Sequence, residues 1–131
     1  EAVEARAPHL KKRVLVVDYN AALKDHLESR GFHWEYGDLA HPEILHHWGI
    51  ADASFVICSI SDTFLKGITN RRLLANLKQM APRAQLIMSA EENQEAAILL
   101  QGGATHVIVS GKLSGMRIFE LVTENPNQSL E

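Results

Sequence analysis

The sequence predicts a doubly wound α/β domain, a parallel sheet with helices on both sides. Three observations predict it. Apolar runs recur without polar alternation, at Val14–Val17 closing on Asp18, Ser54–Ile60, Gln85–Met88 and His106–Val109, a pattern of strands covered on both faces. Stretches with helical apolar spacing separate them, each ended by glycine or proline. No internal repeat or low-complexity linker interrupts the rhythm, and 131 residues suffice for one domain with a real core.

Taken in order, Glu1–Ala7 is rich in Ala, Glu and Arg and favours helix until Pro8 breaks it. With Leu10–Lys12 it reads as the tail of a preceding helix and a linker, residues 1–12, of a chain expected to begin inside a longer protein. The first strand runs from Arg13 to Asp18. Asn20 is placed to cap a helix over Ala21–Arg30, which Gly31 stops. A second strand, Phe32–Tyr36, ends at Gly37-Asp38, and Pro42 opens a short helix to Trp48 at a position where proline is tolerated. The third strand is Ser54–Ile60. Leu65, Ile68, Leu73, Leu77 and Met80 then predict a long helix over Asp62–Met80, ended by Pro82. Gln85–Met88, helix Asn93–Gln101 with Gly102-Gly103 as its stop, strand His106–Val109 and an amphipathic helix over Ser114–Thr123 complete five strands and five helices. The domain is expected over residues 13–124, and residues 125–131 read as a polar tail ending in a cloning scar.

Composition narrows function. Hydrophobic residues make up 46% and charged residues 22%, ordinary for a globular chain. A net charge of −3 gives no electrostatic footprint for nucleic acid. One cysteine excludes a disulfide framework. No apolar run approaches the roughly 20 residues of a membrane span. His41, His46 and His47 cluster but match no zinc spacing. Lys11-Lys12-Arg13 reads as a solvated charge run.

Tyr36-Gly37-Asp38, then His41–Leu45, then Gly49–Ala53 leading into a strand, together with Leu99–Val109, resemble the RCK (TrkA-N) domain, which regulates potassium channels and cation transporters. Within it, Asp18-Tyr19-Asn20, Asp62–Gly67, Thr69-Asn70 and Leu73-Leu74 are similar to the C-terminal cytosolic domain of Kef-type bacterial monovalent cation:proton antiporters. The resemblance covers roughly residues 10–110. One departure matters: the first strand and the turn G-x-G-x-x-G, whose amides hold a pyrophosphate, are missing from this sequence. The run at Arg13 then corresponds to the family's second strand.

The resemblance implies a Rossmann-like fold and a nucleotide site at the strands' carboxyl ends, drawn from Asp18, Tyr19, Asn20, Gly37, Asp38, Ser59 and Ser61. Asp18 is either a ribose acceptor or a turn residue capping the next helix. Asp38 is either part of the adenosine pocket or an Asx turn. Ser59 and Ser61 either reach the nucleotide or cap the helix expected from Asp62. NAD(H) or an adenine nucleotide is the cofactor implied for the intact protein. The implied partners are a second copy of the chain, as a homodimer or higher homo-oligomer, and the transmembrane antiporter domain of the same chain, which places the domain on the cytoplasmic face of the bacterial inner membrane. The reading is a regulatory, non-catalytic module that gates transport through nucleotide binding and dimer rearrangement. An alternative is a pseudo-receiver signalling domain: Val14–Asp18, Ser89-Ala90 and Lys112 echo receivers, but Cys58-Ser59 stands where the phosphoacceptor aspartate belongs.

Without the family's central strand, two apolar runs are left with unpaired inner edges. Direct parallel pairing of Val14–Asp18 with Phe55–Ile60 is expected, giving the order 2-1-3-4-5; a strand inserted by a second copy is the other outcome.

Overall fold

A computed structural model describes residues 5–39 and 41–124. Glu1–Glu4 of the expected leading helix and the whole polar tail lie outside the described residues. The chain divides into two compact units, Glu1–His47 and Trp48–Glu131.

In the first unit, the linker closes into a 3₁₀ helix, Pro8–Arg13, with proline in its first turn. Strand β1, Leu15–Asp18, pairs in parallel with β2, His33–Tyr36, from Leu15 opposite His33 to Asp18 opposite Tyr36. Asn20 caps the helical segment between them, its side chain accepting from the Ala22 amide. That segment is a 3₁₀ turn, Ala21–Leu23, running into helix α1, Lys24–Ser29. Gly31, at φ 84°, makes the left-handed turn into β2. Trp34 and Leu45 are buried here, the two such side chains among the described residues of this unit. The helix expected at Pro42–Trp48 is present as a 3₁₀ helix.

The second unit holds a parallel sheet in the order β3-β4-β5, made of Phe55–Cys58, Gln85–Ala90 and His106–Val109. Helices α2, Asn70–Met80, and α3, Asn93–Gln101, lie against β4 and against each other. Leu73, Leu74, Leu77, Leu99, Leu86 and Met88 form their shared core. Helix α4, Ser110–Glu124, follows β5 with no residue between.

Two expectations are corrected. The long helix begins at Asn70 rather than Asp62, because the intervening residues are spent otherwise. Ser61–Phe64 form a turn, Gly67 adopts φ 73°, and the Asp62 carboxylate accepts the Asn70 amide, so the helical register starts only where Thr69 caps it. The apolar spacing of Leu65 and Ile68 carried no information about that turn. The direct closure of the first and third runs also fails. β1 and β3 share no ladder; the strands form a two-stranded and a three-stranded sheet, so the order 2-1-3-4-5 is not made within the chain. The fold is Rossmann-like in its strand–helix rhythm and its parallel pairing.

Candidate functional site

Parallel pairing brings the ends of β1 and β2 to one edge, where Asp18 stands opposite Tyr36. Asp18 Oδ1 accepts the Asn20 amide at 2.8 Å, and the Asp18 carbonyl accepts the Gly37 amide at 3.2 Å. One carboxylate oxygen thus closes the turn that launches the capped segment. Asn20 spends its side-chain oxygen on Ala22. Tyr19 is half exposed beside them. Asp38 lies 3.4 Å from His41 Nδ1 and its carbonyl accepts the His41 amide, the i to i+3 contact of a tight turn. Five of the predicted residues, Asp18, Tyr19, Asn20, Gly37 and Asp38, therefore share one edge of the first unit, with turn-forming bonds accounting for much of their polarity.

Ser59 and Ser61 lie past the carboxyl end of β3 in the second unit. Ser59 is exposed. Ser61 caps no helix: its hydroxyl donates to Glu91 Oε1 at 2.8 Å. Hydroxyl bonds from Ser61 and then Thr63 hold the Glu91 carboxyl below its ordinary value. Glu91 and Asn70 were not among the predicted site residues. Asn70, 1% exposed, donates its side-chain amide to the carbonyls of Ile60 and Ser89 and so ties the carboxyl ends of β3 and β4 together. Its backbone amide donates to the Asp62 carboxylate eight residues earlier, and its place in the resembling pair Thr69-Asn70 was the sequence signal that it had. β3 ends in the half-buried Cys58, whose thiol burial pushes up to about 12.

An open cleft of ≈ 680 Å³ lies over the ends of β4 and β5, lined by Glu91, Glu92, Asn93, Gln94, Val109, Gly111 and Lys112. None of the predicted residues is among these. Among the described residues there is no group of three or more His, Cys, Asp or Glu side chains placed to hold a metal ion. No described helix is long and apolar enough to cross a membrane.

The donor set fits half of a dinucleotide. A strand-terminal carboxylate such as Asp18 suits ribose hydroxyls. A pyrophosphate needs a glycine-rich turn or cations, and the edge that carries Asp18 and Asp38 has no glycine-rich turn in this sequence.

The family model of the TrkA-N domain matches residues 2–110. No curated protein matches the chain. Solved structures do. The TrkA-N domain of the inner membrane protein YbaL from Escherichia coli is 20% identical with a TM-score of 0.73, over 92% of this chain and 83% of that one. The NAD(P)-binding domain of an exopolyphosphatase-related protein from Archaeoglobus fulgidus is 18% identical with a TM-score of 0.72, over 88% of this chain and 84% of that one. The GsuK channel bound to NAD is 23% identical with a TM-score of 0.63, over 82% of this chain but 20% of the channel chain. At these identities the likeness speaks for the fold.

Proposed function

The chain belongs to the TrkA-N domain family, and on that footing we propose that it is the ligand-sensing regulatory domain of a membrane cation transport system. The system is of the cation:proton antiporter kind, with the domain on the cytoplasmic face of the bacterial inner membrane. The observation that carries this reading is the family match over residues 2–110 together with Asp18 at the carboxyl end of a parallel strand. The similar proteins support it, one being a domain of an inner membrane protein and another a channel bound to NAD.

The module binds rather than catalyses. The ligand's ribose meets Asp18 beside Gly37 and Asp38, with Tyr19 at the rim. Binding biases transport only as far as the ligand's affinity differs between two arrangements of a dimer, a coupling of typically about 1–3 kcal/mol. Because the chain offers a ribose acceptor but no phosphate cradle, NADH or ADP is expected to bind it at about 1 mM, near 4 kcal/mol. An NMR titration tests this. Shifts confined to Asp18–Asn20 and Gly37–Asp38, lost in Asp18→Ala, support the reading. Saturation with no shift at those residues would overturn it.

A further inference from the structure

The cleft over the ends of β4 and β5 carries charges of both signs that do not satisfy one another. Glu91 and Glu92 enter it from the joint between β4 and α3, and Lys112 enters it from the first turn of α4. Among the described residues, Lys112 and Glu92 make no hydrogen bond or ion pair through their side chains, with each other or with any neighbour. Glu92 stands at the N-cap of α3, yet its carboxylate bonds none of the first-turn amides.

Acceptors outnumber donors at this place. The Glu91 carboxylate already receives the Ser61 hydroxyl at 2.8 Å. Next to it, Glu95 Oε2 accepts the Glu91 amide at 3.0 Å, while Glu95 Oε1 is buried and has no partner. A buried carboxylate oxygen without a donor is costly, and no described residue supplies one. The carboxylates are short of a cation, and Lys112 is short of an anion. Asn93 and Gln94 add side-chain amides that can both donate and accept. The cleft's ≈ 680 Å³ falls within the range of about 300–1,000 Å³ typical of small-molecule sites.

These groups discriminate between classes of ligand. A simple anion would meet Lys112 but also face two carboxylates. A simple cation would meet the carboxylates but also face Lys112. A molecule with both charges meets both needs. We propose that this cleft binds a free α-amino acid, its ammonium held by Glu92 with the Glu91 and Glu95 acceptors close by, and its carboxylate held by Lys112. Two lining carboxylates against one ammonium favour a neutral side chain over an acidic one, and Asn93 and Gln94 suit a polar one. Every residue of the site belongs to the second unit, so it goes beyond the nucleotide reading and does not rest on it. An occupant bridges the joints at which α3 and α4 leave the sheet, and so fixes the angle of α4.

Titration of the whole chain with L-glutamine, followed by amide NMR, tests this. Binding is expected at about 1 mM, with shifts at Glu91–Gln94 and at Gly111 and Lys112, and none at Asp18–Asn20. N-acetylglutamine lacks the ammonium and glutaminamide lacks the carboxylate. Each is expected to bind about fivefold more weakly, the size of one exposed ion pair. Lys112→Met, at an exposed position where the fold is spared, is expected to erase the preference for glutamine over glutaminamide and keep that over N-acetylglutamine. Glu92→Gln, also exposed, is expected to reduce only the second preference. Glutaminamide binding wild type as well as glutamine would make the cleft a cation site, and N-acetylglutamine doing so would make it an anion site. Either result overturns the proposal, as does saturation with glutamine without shifts at the cleft residues. None of these outcomes bears on the Asp18 edge, which the nucleotide titration tests by itself.

Discussion

Both faces of the β3-β4-β5 sheet carry large apolar residues, and these meet opposite fates. Leu86, Met88 and Ala90 on one side are buried under α2 and α3, while Phe55, Ile57 and Ile108 on the other are exposed. Nor do the helices that follow β4 and β5 differ much in apolar content: Ile98, Leu99 and Leu100 in α3 are matched by Ile118, Phe119, Leu121 and Val122 in α4. What differs is the joint. Two residues after β4 let the chain reverse and lay α3 on the sheet; none after β5 send α4 onward. Hydrophobicity says that a helix wants cover, and connection length decides whether its own chain can supply it.

The sharpest way to break this contrast is to cut the same side chain on either helix. Leu99→Ala, at a site 1% exposed, is expected to lower the unfolding free energy by about 3 kcal/mol. Leu121→Ala, at a site 46% exposed, is expected to change it by less than about 0.5 kcal/mol in dilute, monomeric protein. Urea titrations showing equal losses would mean that α4 is covered within the chain.

A smaller effect sharpens the covered side. Asn70→Ala removes both bonds between α2 and the ends of β3 and β4 and leaves two carbonyls short of a donor, so a loss of about 2 kcal/mol is expected. Removing the exposed Arg117–Glu120 pair on α4 with Arg117→Ala is expected to cost less than about 0.5 kcal/mol. Thermal melts that rank the two variants the other way would refute this.

The subtlest comparison is chemical. Cys58 shares the covered side with Met88, and burial raises its thiol from 9.0 to about 12. A raised thiol value means that the folded state keeps the proton while the unfolded chain releases it. This contribution to stability is therefore intact below about pH 9 and is lost as the pH rises towards 12. At pH 8.5 a thiol reagent is expected to label Ile57→Cys, in a Cys58→Ala background, on the order of a hundredfold faster than Cys58 in the native chain. Equal labelling rates would erase the distinction between the faces.

The strands were legible because each is a short apolar run bounded by turn residues. Gln85, His106 and Val109 fall at element ends as expected, and β1 keeps Asp18 as its last residue. The helix Asn93–Gln101 was read to the residue, having a clean stop at Gly102-Gly103. The start of α2 was not, because Asp62 bonds across eight residues and no local propensity encodes such a reach. Pairing of the first and third runs was misjudged for a similar reason: apolar content tells that an edge wants a partner and leaves open which strand provides it. At the candidate site, Asp18 and Gly37 meet at one strand edge through a backbone bond, whereas Glu91 is joined to Ser61 across 30 residues of sequence, a reach that no local pattern encodes.

A strand that becomes a helix without a break also has mechanical meaning. β5 and α4 form a lever with no slack at its fulcrum, and Val109, Gly111 and Lys112 at that fulcrum line the rim of the cleft. Phe119 lies nine residues along the arm, roughly 14 Å from Ser110 at 1.5 Å per residue. A tilt of about 10° at the rim therefore sweeps Phe119 through about 2 Å, the size of the helix shifts by which subunit interfaces switch between states.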